Sequence, residues 1–129
     1  MSILTLILIF KIAYTGLMIG LPFVFLPSEK LEKLTGVNAI GINYIRLYGW
    51  SVIAILVGYS FGIIPSMSAT FPVGVVVMGI ASNLGGAILL HLTGARKKRP
   101  GPFYIIGGIA VALIASAVFP DLAVSPIFK

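Results

Sequence analysis

Lys11 is the residue most suggestive of chemistry. It stands inside an apolar run that begins at Ile3, and at 1.5 Å rise per residue it lies about 12 Å into a helix, where an ionisable side chain is costly and by default functional. Asn83 lies in a later apolar run that starts near Val73, about 15 Å from the same face on the same rise, and the two segments run the same way. With Tyr14 a turn beyond the lysine, these three residues make a possible polar intramembrane site for an anion or a polar solute. Two fates compete for Lys11. Helical side chains lean toward the N-terminus, so a lysine there can snorkel to the interface, which is the simpler expectation; the other fate is an inward functional role. On a wheel of about 100° per residue Lys11 shares a face with Thr15, Met18 and Pro22, roughly opposite Gly16 and Gly20. The lysine and the glycines are therefore expected not to face inward together. Asn83 is expected first as glue between helices.

The other chemically able residues have plainer readings. Glu29 and Glu32 are the only glutamates and share a helical face, yet they interleave with Lys30 and Lys33 and read as a solvated face. His91 lacks a second metal ligand nearby, so an interfacial side chain is expected and a metal site is not. Arg46 is expected to anchor its span at the interface. Arg96, Lys97, Lys98 and Arg99 are possible contacts for anionic lipid headgroups, although the ordinary topology signal also accounts for them. Cysteine is absent, which excludes disulfides, thiolate chemistry and Cys-based zinc sites. No nucleophile with a base, no phosphate loop and no carboxylate dyad is present, so neither an enzyme nor a cofactor is expected.

The elements that position these residues are apolar. Of 129 residues 59% are hydrophobic and 9% charged, with a mean hydropathy of +1.13, against roughly 25% charged in an average soluble domain. At roughly 20 residues per crossing, the chain reads as one all-α transmembrane domain, 1–129: an integral membrane four-helix antiparallel bundle. Spans are expected at about 3–26, 44–64, 73–93 and 103–119. No positive region precedes the first apolar run and no small-residue cleavage pattern follows it, so it is expected to be a retained helix rather than a signal peptide. Between the first two spans, Ser28 to Gly36 predicts a short interfacial helix with Ser28 as N-cap and Gly36 as a left-handed C-cap. Pro65 is expected to close the second span, and Arg96 to Pro102 to form a hard break.

In lipid, close approach at small residues must help hold helices together. Stripes at spacing four supply it: Gly16 and Gly20 in the first span; Ala54, Gly58 and Gly62 in the second; Gly79, Asn83 and Ala87 in the third, with Ser82 and Gly86 beside them; and Gly108, Ala112 and Ser116 in the fourth. They serve either packing within the chain or an oligomer face.

Lys and Arg set orientation. Lys30, Lys33 and Arg96 to Arg99 fall in the first and third connectors, with Arg46 close by, while the opposite face holds only Lys129. Both termini are therefore expected outside the cytoplasm, in a cell (inner) membrane. The net charge of +6 follows from these connectors, and no nucleic-acid partner is expected.

Phe25-Leu26-Pro27, Leu31-Glu32-Lys33-Leu34-Thr35-Gly36-Val37 and Tyr44-Ile45-Arg46-Leu47-Tyr48-Gly49 together resemble small four-helix bacterial membrane proteins of the DoxX-like kind and related uncharacterised families. The resemblance covers roughly half the chain and implies a four-helix membrane fold, with no catalytic residue to carry over. The leading expectation is a non-enzymatic accessory, assembly or structural subunit of a membrane complex, or a homo-oligomer, with the lipid bilayer as its surroundings. The runner-up is a small transporter or channel using Lys11 and Asn83.

Overall fold

Pro22 shapes the first span. A proline inside a helix lacks an N–H and crowds the carbonyl four residues back, and the chain answers by widening just before it. In the computed structural model, which describes residues 1–98 and 100–127, α1 (Ile3–Thr15) passes into a π-helical turn, Gly16–Gly20, and then into α2 (Leu21–Phe25). Arg99, Phe128 and Lys129 lie outside the described residues. The Leu21 N–H donates to the Gly16 carbonyl, five residues back, as a π turn requires. The buried positions record the change: Leu4, Leu8, Lys11, Thr15 and Gly20 succeed one another at intervals of four, three, four and five.

That last interval overturns the expected opposition of Lys11 and Gly20. A π turn takes up about one extra residue, which sets the face of everything beyond it back by roughly 100°. Gly20 thereby comes round to the side of Lys11 and Thr15, and all three are buried.

The residue before Pro27 is driven to extended backbone, and Leu26, at ψ 145°, ends α2. The short helix α3 (Ser28–Thr35) follows and ends at Gly36 in the left-handed conformation, φ 71°. Its N-cap is Pro27, not Ser28: the Pro27 carbonyl accepts the N–H groups of Lys30 and Leu31. Ser28 is the first helical residue, and its hydroxyl meets Arg46 instead. Leu31 is fully buried.

The second span starts earlier than expected, with α4 (Ala39–Ser60). Asn38 caps it, its Oδ1 accepting the Gly41 N–H at 3.0 Å, the third helical position that such caps satisfy. Nor does Pro65 close this span. After a turn at Phe61-Gly62, α5 (Ile63–Met67) carries Pro65 as its third residue, within the first turn where an N–H has no helical partner to lose. The third span is α6 (Val73–Leu92), followed by Gly94 at φ 72°. The basic connector is also more helical than expected. It holds α7 (Ala95–Lys98), and α8 (Pro100–Val118) begins at a proline rather than beyond the prolines, since both Pro100 and Pro102 fit a first turn. The last helix is α9 (Pro120–Val124), beyond which Pro126 bridges to Ser2 and the Ile127 N–H donates to the Met1 carbonyl at 3.1 Å.

Among the described residues four stretches are long and apolar enough to cross a membrane: Ile3–Phe25, Ala39–Met67, Val73–Leu92 and Pro100–Val118. The chain gathers into two compact units, one of Phe10–Ser60 and one of Met1–Ile9 with Phe61–Lys129. Within the first, Gly16 faces Leu56, Gly20 faces Ile53 and Gly49 faces Phe23; the residue numbers fall on one segment as they rise on the other, so the two run antiparallel. Within the second, Gly86 against Ile106 and His91 against Phe103 make α6 and α8 antiparallel in the same way.

Candidate functional site

Lys11 sits on the buried stripe of α1, 7% exposed, with Thr15 one turn on and equally covered. Little of this side chain is left uncovered by protein, whereas the snorkelling expectation places a lysine along an outer helix face. Tyr14 is placed differently. It is half-buried and stacks on the exposed Phe10, ring centroids 5.7 Å apart and 17° from parallel, so it lies beside the stripe rather than on it.

Asn83 is buried in α6, and its Nδ2 donates to the Gly79 carbonyl at 2.7 Å. The Ser82 hydroxyl donates to the same carbonyl at 3.2 Å. Gly79 thus accepts these two side-chain hydrogen bonds beside the helical one from the Asn83 N–H.

No family model, curated protein or solved structure matches the chain. Beside these positions stand three arrangements that residue spacing does not reveal.

The first is a buried hydroxyl cluster. Ser2, Thr5 and Ser66 are all essentially inaccessible. Thr5 Oγ1 lies 2.8 Å from both Ser2 Oγ and Ser66 Oγ, Ser2 Oγ donates to the Ser66 carbonyl at 3.1 Å, and Ser66 Oγ donates to the Ile63 carbonyl at 2.9 Å. Three hydroxyl protons serve four contacts. The serine protons go to carbonyls, so Thr5 can donate to one serine at a time. The cluster fastens the start of α1 to α5.

The second is the setting of Arg46. Its guanidinium donates to the carbonyls of Val24 and Leu26, the latter at 3.0 Å, and to Ser28 Oγ at 3.3 Å. These carbonyls lie where α2 ends and have no further helical partner, so Arg46 clamps the turn into α3. Phe23 and Tyr48 pack together beside it, centroids 6.2 Å apart.

The third surrounds Phe103. His91 lies 6.3 Å from its ring and the Arg96 guanidinium 5.6 Å from its centroid. Arg96 is half-buried, Lys97 and Lys98 are exposed, and Arg99 lies outside the described residues. His91 is exposed near the end of α6. Among the described residues no group of three or more His, Asp or Glu is arranged to hold a metal.

The glycines divide. A methyl group built on Gly20 would lie 3.0 Å from Ile53, on Gly62 2.9 Å from Leu8 and Val75, on Gly86 3.2 Å from Ile106 and on Gly16 3.4 Å from Leu56. Gly49, which the spacing pattern missed, is tighter than these: its methyl would meet Phe23 Cβ at 2.7 Å. At Gly108 nothing lies within 4 Å, so no helix approaches its backbone closely there. Gly79 is buried and Gly58 half-buried.

Proposed function

We propose that the protein is a multi-pass membrane protein that works by packing and association rather than by catalysis, as an accessory, assembly or structural subunit of a membrane complex or as a homo-oligomer. One observation carries this reading: hydroxyls and an amide within the spans are engaged with their own helices. Ser51 donates to Leu47, Ser60 to Val57, Asn83 to Gly79 and Ser116 to Ala112. Donor protons held in this way are satisfied within the helix. Around them the surface carries large apolar groups, including Leu47, Trp50, Phe61 and Ile64, each more than 60% exposed, and such a surface suits lipid or another apolar partner. The resemblance to DoxX-like proteins agrees with this reading.

The test is purification of the native protein in mild detergent, with mass spectrometry of what accompanies it. A stable homo-oligomer or a defined larger complex is expected. A lone monomer, in detergent and again in nanodiscs, would refute the reading.

The enclosure of Lys11 favours a second reading, a small transporter or channel for an anion or polar solute to which Lys11 and Asn83 each contribute a polar group.

A further inference from the structure

An apolar groove of about 280 Å³ runs along α6 toward α8, lined by Leu84, Ala87, Ile88, His91, Leu92 and Phe103. Leu84 and Ile88, and likewise Ala87 and His91, are four apart and stand one turn above the other. Phe103 joins this groove to the basic turn, because the ring that forms part of its wall also lies under the Arg96 guanidinium, 5.6 Å away. Lys97 and Lys98 stand exposed beside it on α7. From Val73 to Val118 the sequence contains no Asp or Glu, so α6, α7 and α8 offer these cations no carboxylate of their own.

We infer that this end of the α6–α8 hairpin is a binding site for one anionic phospholipid, with part of an acyl chain in the groove and the phosphate at Arg96, Lys97 and Lys98. Charge complementarity selects the occupant. An apolar peptide or a neutral lipid could fill the groove and would leave the cationic turn unanswered, whereas an anionic lipid satisfies both parts at once. Phe103 has a particular part: as wall to the chain and platform for Arg96, it fixes the distance between apolar and charged contacts. The inference rests on the membrane reading above.

The full chain, purified in detergent, is titrated with phosphatidylglycerol and with phosphatidylcholine of the same acyl chains, and bound lipid is read by native mass spectrometry. Wild type is expected to retain one phosphatidylglycerol about tenfold or more over phosphatidylcholine, in line with the contribution of two or more basic residues near an anionic headgroup. Lys97→Gln with Lys98→Gln should bring the two lipids close to parity. Ile88→Trp, which fills the groove, should weaken retention of both; Leu84→Trp replaces it if that variant does not melt cooperatively. Equal retention of the two lipids by wild type, an undiminished preference in the double glutamine variant, or full retention by the groove variant would each overturn the site while leaving the membrane reading standing. A protein that binds neither lipid and stays dispersed without detergent would remove the membrane reading and the site with it.

Discussion

Thr15 and Gly20 lie on the same buried face of the first span although they are five positions apart. The π turn forced by Pro22 makes this possible, and it yields an unusual prediction. Deleting Met18, which is 60% exposed, together with Pro22→Ala should convert the π turn to ordinary α-helix and keep both ends in phase, because a π turn is in effect one inserted residue. This shortened protein is expected to remain monodisperse and to melt at or above the wild-type temperature. Deleting Phe10 in the same Pro22→Ala background should instead turn Lys11 and Thr15 about 100° away from Leu4 and Leu8 and prevent folding. Size-exclusion profiles and thermal melts in detergent compare the two; equal behaviour would discredit the π-turn account.

The four apolar spans were legible because crossing length and hydropathy act locally, and Gly36 was legible because a left-handed cap leaves few alternatives. Asn38 carried a readable capping signal that was masked by the aromatic residues from Tyr44 onward. Pro65, Pro100 and Pro102 look like breaks until it is known that they fall in first turns. The expected opposition of Lys11 and Gly20 failed for a sharper reason: a wheel drawn at one period cannot register an inserted turn. Ser2, Thr5 and Ser66 could not have been grouped from sequence, since about sixty residues separate the first two from the last and serine carries no pattern of its own.

Arg46 should prove structural. Arg46→Met leaves the Val24 and Leu26 carbonyls without their donor, and hydrogen bonds involving a charged group contribute roughly 1.5–3 kcal/mol each. A marked drop in melting temperature is expected, with Arg46→Lys restoring only part of it because an ammonium cannot reproduce the fork of the guanidinium. Complete rescue by lysine would show that charge alone matters at this position.

Two glycines should respond in opposite senses. Gly49→Ala places a methyl 2.7 Å from Phe23 Cβ and should destabilise the protein by about 1–3 kcal/mol through overpacking. Gly108→Ala adds a methyl where nothing lies within 4 Å and should stabilise the helix by up to about 1 kcal/mol. Chemical or thermal unfolding of the pair decides it, and a stabilising Gly49→Ala would contradict the close approach of α2 and α4.

Lys11 gives an order of tolerance that depends on where it points. A snorkelling lysine would accept arginine freely. An enclosed one has no room for the larger guanidinium, so Lys11→Arg should lower the melting temperature more than the near-isosteric Lys11→Met. The reverse order would restore the interfacial lysine. The same variants reconstituted in liposomes test the transporter reading: wild-type solute flux that vanishes in Lys11→Met would establish it.

Orientation can be settled on a background that lacks cysteine. Single cysteines at the exposed positions Ser68 and Lys97 are offered an impermeant thiol reagent on intact cells. Labelling at position 68 and protection at 97 are expected, because lysine and arginine concentrate in the alternate connectors. The opposite pattern would invert the topology, and labelling at both would end the four-crossing arrangement.

Ser2 and Thr5 are hydrogen-bonded to Ser66, while Met1 and Ser2 are joined to Ile127 and Pro126. The start of the chain, its closing residues and the approach to the turn at Ala69, whose φ of 57° marks a tight reversal, therefore gather at one place. A short linker from Ile127 back to Met1, with new ends opened at Ala69, would leave these contacts intact, so the order in which the apolar stretches are synthesised could be rearranged without parting them.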